Sequence, residues 1–134
     1  VSSLNTKMKI IFAVGTLEYL QKGGRIGKAV ALLGSLLNFK PLLTVKEGVV
    51  DQFARVRGEK MVFPFILKSL KEQIKENAKI VISFIHSREE KKALELMEIV
   101  KKEFDVKESY LTELGPVIGT HVGPGVVGVA WYEA

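Results

Sequence analysis

The feature that most constrains the fold is a pair of short, continuous apolar runs at residues 9–14 and 79–85. Each run is far shorter than the roughly 18 apolar residues that a membrane span requires, so no transmembrane segment is predicted. Runs of this length are typical of strands that are buried on both faces. Because a helical pattern follows each run, the sequence predicts an α/β domain.

Four further segments complete a predicted sheet of about six strands. Segments 40–45 and 49–56 are rich in β-formers and flank Lys46-Glu47-Gly48, which is typical of a hairpin with glycine in the turn. Residues 108–114 and 126–132 are predicted strands on either side of a loop rich in glycine and proline. With about four helices, this gives an α/β two-layer sandwich around a mixed sheet.

Apolar residues at helical spacing predict two long helices, one over residues 59–77 and one that ends near residue 104. Ser87 and Glu90 have the spacing of a capping box, which predicts where the second of these begins.

The two remaining predicted helices precede the hairpin. Thr16 caps a short helix that Gly23 and Gly24 end. Residues 27–38 form a helix that is apolar nearly all round. A helix without a polar face is buried on most sides, so in a small domain it requires a second surface from another domain or from a lipid-like ligand.

Composition narrows the class of protein further. A chain of 134 residues fits one domain, and 47% hydrophobic residues predict apolar surface that faces a ligand, a partner or a missing domain. The absence of cysteine excludes disulfides, cysteine-ligated zinc and thiol catalysis, and it fits a reducing cytoplasm. The first residues lack an initiator Met and a signal peptide, which predicts a cut inside a longer protein.

The net charge of +5 raises nucleic acid or an acidic molecule as a partner. Most lysines, however, share helical runs with glutamate at 68–79 and 89–102, without interleaved aromatic residues. Such runs are usually solvated helix faces, so the pattern argues against nucleic-acid binding.

The most unusual stretch is residues 115–128, which hold five of the 12 glycines and two of the 4 prolines around Thr120 and His121. Glycine permits close backbone approach and proline stiffens the chain. The stretch therefore predicts a loop that presents a hydroxyl and an imidazole to a ligand. A tight connection whose histidine is merely solvated is the alternative, and the loop pattern does not decide between them.

Several motifs that suggest other chemistry are incomplete. Residues 123–128 match G-x-G-x-x-G, but a β-branched segment follows where the dinucleotide fingerprint needs a helix. Residues 23–29 resemble a phosphate-binding loop but lack the hydroxyl residue after Lys28. His86 and His121 are 35 positions apart with no spaced ligand set, so no metal site is predicted, and His86 is predicted to be structural. No catalytic nucleophile is predicted.

Five segments in a fixed order carry a family resemblance. They are Thr-Leu-Glu-Tyr-Leu at 16–20, Gly-Gly-Arg-Ile at 23–26, Leu-Gly-Ser-Leu-Leu-Asn-Phe-Lys-Pro at 33–41, Arg-Val-Arg-Gly at 55–58 and the glycine-rich stretch at 115–125. In this combination the chain resembles the C-terminal half of the DegV family of fatty-acid-binding proteins. One departure is Gly27, where family members often carry serine.

The resemblance implies that residues 1–134 are the C-terminal lobe of a bacterial, cytoplasmic carrier, without its N-terminal lobe. Such a carrier holds one long-chain fatty acid in a tunnel between two lobes, and the N-terminal lobe adds serine and threonine hydroxyls to the head-group site. It presents the acyl carboxylate to a fatty-acid kinase, which makes acyl phosphate for phospholipid synthesis. The resemblance implies neither catalysis by the carrier nor a cofactor.

The resemblance also assigns site residues by motif. Those implied to bind the ligand are His121, Thr120, Gly119 and Arg25, and those implied to lie near the head group or a partner are Arg55 and Arg57. Burial of an acyl tail is worth up to about 0.8 kcal/mol per methylene, so the tail supplies most of the affinity. The polar residues then serve to orient the carboxylate and to offset its desolvation.

Two other functions remain open from the sequence. One is an enzyme or binding domain for a small phosphorylated ligand, which would use Arg25, Arg55 and His121, since arginine suits bidentate recognition of phosphate. The other is a basic nucleic-acid-binding module, which would show salt-dependent binding to DNA or RNA.

Overall fold

The computed structural model describes residues 8–15, 18–22, 24, 26–28, 39–46, 49–114 and 125–134. The strands are β1 Lys9–Ala13, β2 Lys40–Lys46, β3 Val49–Val56, β4 Lys79–Ser87, β5 Asp105–Glu113 and β6 Val126–Glu133. The helices of this described part are α1 Glu18–Lys22, α2 Val62–Gln73 and α3 Glu90–Glu103, with a 3₁₀ turn at Glu59–Met61 before α2. The predicted α/β fold around a mixed sheet is confirmed.

The six strands form one sheet in the order β3-β2-β1-β6-β4-β5. All neighbouring pairs are antiparallel except β4 and β5, which are parallel and are connected through α3. The predicted hairpin is confirmed, because β2 and β3 pair as far as Lys46 and Val49. Its predicted turn residues, Glu47 and Gly48, lie outside the described part of the chain.

These strand directions place one end of each of the six strands at the same edge of the sheet. The carboxyl ends of β1, β3, β4 and β5 and the amino ends of β2 and β6 lie at one edge of the sheet, as shown by the pairings of Ala13 with Val127, Lys40 with Val56, His86 with Glu113, and Ser87 with Val126. We call this the loop edge, because the glycine-rich stretch connects β5 to β6 there.

The sheet carries an apolar cluster on each face, because successive side chains of a strand point to opposite sides. The main core contains Ile11 and Ala13 of β1 and packs against α2 and α3. The second cluster contains Phe12 and Val14 together with Leu20 of α1.

Several element boundaries differ from the prediction. The helix predicted over 59–77 is shorter, since a 3₁₀ turn precedes it and Ile74 is already extended. The strand predicted over 79–85 continues to Ser87, because β4 pairs on both sides and its ladder with β6 extends to Val126. The strand predicted from residue 108 begins at Asp105, where pairing with β4 starts.

The predicted capping box is wrong. Ser87 is the last residue of β4, and the residue that caps α3 is Glu89, whose side chain makes no capping hydrogen bond. Ser87 lies two residues before Glu89, so its side chain is not at the position from which a capping serine accepts the first N–H groups of the helix.

The prediction for residues 27–38 lies mostly outside the described residues, which include only a 3₁₀ turn at Gly27 and Lys28. The predicted cap, Thr16, also lies outside them. Among the described residues, none of the helices combines the length and apolar character that a membrane crossing demands.

Candidate functional site

Both ends of the glycine-rich loop are held by consecutive residues of β4. The backbone N–H of Leu114 donates to the carbonyl oxygen of His86 at 2.9 Å, and that of Gly125 donates to the carbonyl oxygen of Ser87 at 3.0 Å. Residues 115–124 themselves lie outside the described part of the chain. The loop therefore leaves and re-enters the sheet at two adjacent, hydrogen-bonded points on the loop edge.

His86 also organises the start of α3. Its side chain is 3% exposed, and its Nδ1 atom accepts a hydrogen bond from the backbone N–H of Glu89 at 3.2 Å. Between them, Arg88 adopts a left-handed backbone with φ 58°. The structural role predicted for His86 agrees with this burial and with this hydrogen bond.

A cavity of about 460 Å³ opens at the loop edge. Its apolar lining includes Ala13 from β1, Val127 from β6, and Val62 and Phe63 from the first turn of α2. Gly125, at the end of the glycine-rich loop, also lines it. The volume lies within the range of about 300–1,000 Å³ that small-molecule sites occupy.

The charged lining of the cavity is balanced. It consists of three lysines, Lys40, Lys60 and Lys92, and three glutamates, Glu59, Glu89 and Glu95. By charge alone, this part of the cavity does not select an anion.

One ion pair in the lining of the cavity connects the turn before α2 with α3. The Lys92 ammonium donates a hydrogen bond to Glu59 Oε1 and lies 3.9 Å from Glu89 Oε2. The hydrogen bond from Lys92, followed by its charge, lowers the pKa of Glu59 below 4.5. The same hydrogen bond is the main cause that raises the pKa of Lys92 above 10.5. The pair therefore stays ionised over a wide pH range.

Two of the predicted site residues, Arg55 and Arg57, lie close together at the loop edge. Their guanidinium carbons lie 5.0 and 5.5 Å from the ring centroid of Phe39, which directly precedes β2. Both arginines are exposed, and neither has an acidic partner among the described residues. Arginine N–H groups can recognise a carboxylate or a phosphate through two parallel hydrogen bonds.

The other predicted ligand residues, His121, Thr120, Gly119 and Arg25, lie outside the described residues. Sequence reasoning missed Phe39, Glu59 and Lys92. Phe39 stands within a segment that carried the family resemblance, but its contact with the arginines depends on the pairing of β2 with β3. Glu59 and Lys92 are 33 positions apart, and no sequence pattern links them.

The dinucleotide-like motif has a simple structural explanation. β6 begins at Val126, inside the G-x-G-x-x-G pattern, so the chain continues as a strand and not as a helix, as predicted. Its last glycine, Gly128, faces Phe12 so closely that a Cβ atom there would clash with β1. Within the described ranges, no three histidine or acidic side chains are grouped as metal ligands.

Comparison with known proteins identifies relatives of this chain. The model of the family described as "Uncharacterised protein, DegV family" matches residues 1–134. A "Fatty acid-binding protein" from Thermotoga maritima is 34% identical over 124 residues, which are 92% of this chain and 43% of the relative. "Protein DegV" from Bacillus subtilis is 31% identical over 131 residues, 98% of this chain and 47% of the relative. The chain thus spans about half the length of these curated relatives.

Solved structures show the same fold. A fatty-acid-binding DegV family protein from Thermus thermophilus has a TM-score of 0.91 and 40% identity over 99% of this chain and 48% of its own. A stearic-acid-binding protein from Eubacterium ventriosum has a TM-score of 0.76 and 30% identity over 95% of this chain and 45% of its own. These relatives are described as fatty-acid-binding proteins and not as enzymes.

Proposed function

The chain belongs to the DegV family, and from this premise we propose that it is one lobe of a carrier that binds a long-chain fatty acid. Residues 1–134 form a single domain, the C-terminal lobe, and an N-terminal lobe completes the binding site. The similarity to fatty-acid-binding relatives over nearly the whole chain supports this proposal, as does the coverage of about half of each relative.

The glycine-rich loop is the proposed head-group site. His121 and Thr120 bind the carboxylate, and Gly119 allows the backbone to approach it. The observation that carries this assignment is the attachment of Leu114 and Gly125 to consecutive carbonyls of β4 beside the cavity, because fixed ends restrict where the loop can place its side chains. Hydrogen bonds to a charged group are worth about 1.5–3 kcal/mol each, which offsets desolvation of the carboxylate.

The acyl chain is proposed to lie against the second apolar cluster. That cluster includes Val126 beside the loop, and partly exposed Leu114 and Ile26 pack against it. The main core, by contrast, is already covered by α2 and α3. A tail of about 16 carbons contributes on the order of 10 kcal/mol before the cost of ordering it, provided that a second lobe covers its other side.

Presentation of the carboxylate to a fatty-acid kinase is the proposed purpose of the carrier, with acyl phosphate for phospholipid synthesis as the product. The carrier has no catalytic role and works in the bacterial cytoplasm. Arg55 and Arg57 are proposed to lie near the head group or the kinase, since their guanidinium groups have no acidic partner among the described residues. Arg25 is assigned to the ligand on the family motif.

The test uses the full-length protein. We expect the extracted ligand to be a long-chain fatty acid, and we expect His121→Ala to reduce its content and its phosphorylation by the kinase while circular dichroism stays unchanged. Exposed Lys107 on β5 offers the control Lys107→Ala, which retains both. Unchanged lipid content and unchanged phosphorylation in His121→Ala would refute the role of His121.

The phosphate-handling alternative keeps one supporting observation, the two arginines on Phe39. It predicts that inorganic phosphate binds and that no acyl chain co-purifies. The same preparations distinguish the two functions when titrated with phosphate.

A further inference from the structure

We propose that His86 is a positioning residue, which holds the glycine-rich loop in place for the fatty-acid carboxylate without touching the ligand. The inference rests on the function proposed above. It concerns a segment that we call the clasp, residues 86–89, which comprises the last two residues of β4 and the two residues that lead into α3.

The clasp connects three parts of the site. Its carbonyl oxygens at His86 and Ser87 accept the N–H groups of Leu114 and Gly125, which are the two flanks of the loop. The imidazole Nδ1 of His86 accepts the N–H of Glu89, which caps α3 and lines the cavity. One residue therefore contacts the loop through its backbone and the helix start through its side chain.

The side-chain bond has a specific function in this geometry. The first N–H groups of a helix have no partner within the helix, and the capping residue Glu89 supplies none from its own side chain. Arg88 also holds a left-handed backbone, which is unfavourable for a residue with a side chain. The hydrogen bond to His86 Nδ1 gives the Glu89 N–H an acceptor and stabilises that turn.

Loss of the bond is expected to move the clasp. Without an acceptor for the Glu89 N–H, Arg88 is free to leave the left-handed region, and the adjacent carbonyl of Ser87 reorients. That carbonyl holds Gly125, so the end of the loop shifts with it. A site is effective only when such supporting contacts hold its groups in place.

Two substitutions separate this role from general stability. His86→Asn places an amide oxygen where Nδ1 was and retains an acceptor, whereas His86→Leu fills the space without one. The control is a substitution in the main core, because Ile66 on α2 is fully buried and is not a clasp residue. Ile66→Val or Ile66→Ala is chosen so that its melting temperature falls as much as that of His86→Leu. If His86→Leu does not fold, His86→Gln replaces it, because its oxygen lies one bond further out.

The experiment measures fatty-acid affinity and hydrogen exchange in the full-length protein. We expect His86→Leu to lose about tenfold in affinity, the size expected for one hydrogen bond that orients a charged group. Exchange should become faster in peptides that contain Leu114 and Gly125. His86→Asn should restore both the affinity and the slow hydrogen exchange. The core variant should keep the affinity and should not speed exchange at Leu114 and Gly125 more than elsewhere.

Three outcomes would overturn the inference: equal affinity in His86→Leu and the wild type, an Asn variant as weak as the Leu variant, or an equal loss in the core variant. Failure of the proposed function is a separate result, because the wild type would then bind no fatty acid. In that case the rate of hydrogen exchange at Leu114 and Gly125 in the His86 variants alone decides whether His86 holds the loop.

Discussion

At the scale of single residues, Gly27 shows how local geometry can require a glycine. Its φ of +55° lies in the left-handed region, and a Cβ atom there would clash with the carbonyl oxygen of Val50 on β3. Gly24 also has a positive φ, of +70°, but nothing lies within 4 Å of its absent Cβ. The two glycines therefore separate backbone strain from steric conflict.

We expect Gly24→Ala to lower the free energy of unfolding by about 1 kcal/mol, through the left-handed backbone alone. Gly27→Ala should cost about 2–4 kcal/mol, because the clash adds the roughly 1–3 kcal/mol of an overpacked position. Urea denaturation of the full-length protein measures both. Equal losses in the two variants would show that the contact with Val50 is unimportant.

At the scale of elements, α2 and α3 are connected by one ion pair near each end. Glu59, in the turn before α2, pairs with Lys92 near the start of α3. Lys71 of α2 lies 3.3 Å from Glu103 at the end of α3. Both pairs are exposed, so each is expected to contribute at most about 1 kcal/mol. The pair at the start of the helices matters more for the site, because both of its residues line the cavity.

The contribution of the Glu59–Lys92 pair should depend on pH in a defined way. Because the pKa of Glu59 is lowered, its stabilisation is present above pH 4.5 and is lost as the pH falls through the lowered value. Because the pKa of Lys92 is raised, its stabilisation is present below pH 10.5 and is lost as the pH rises through the raised value. Between these limits the coupling is constant.

A double-mutant cycle of Glu59→Gln and Lys92→Met checks this, with unfolding free energies measured at several pH values. We expect coupling near neutral pH that disappears in acid and weakens in about 1 M salt. Exposed Lys101, near the end of α3, provides a control cycle of Glu59→Gln with Lys101→Met, for which no coupling is expected. Coupling that persists unchanged in strong acid would contradict the assignment.

At the scale of the whole molecule, the proposed site is shared between two lobes. We expect the full-length protein to gain thermal stability with a long-chain fatty acid, by about 2.7 kcal/mol at 100 times the dissociation constant. Residues 1–134 alone should bind it weakly, because the proposed site also needs the surface of the N-terminal lobe. Thermal unfolding with and without the ligand checks the first expectation and native mass spectrometry the second, with a fatty alcohol of equal length as the control without a carboxylate. Stoichiometric fatty acid on residues 1–134 alone would contradict the shared site.

The elements were predictable where their signal is local. The apolar runs identified β1 and β4, and glycine between two β-rich segments identified the hairpin of β2 and β3. The capping box failed because β4 continues through Ser87, which pairs with Val126, 39 positions away, and the residue that caps α3 is Glu89. A local pattern does not reveal such a pairing.

The candidate site also has one part that the sequence predicts and another part that depends on the fold. The sequence by itself determined the family, because residue types and their order are enough to identify its motifs, and it predicts that the glycine-rich loop binds the head group. Only the tertiary structure decided what surrounds it: the anchoring of Leu114 and Gly125 on β4, the bond of His86 to Glu89, and the stacking of Arg55 on Phe39. The physical reason is that strand register sets these contacts, and register depends on which strands meet in space.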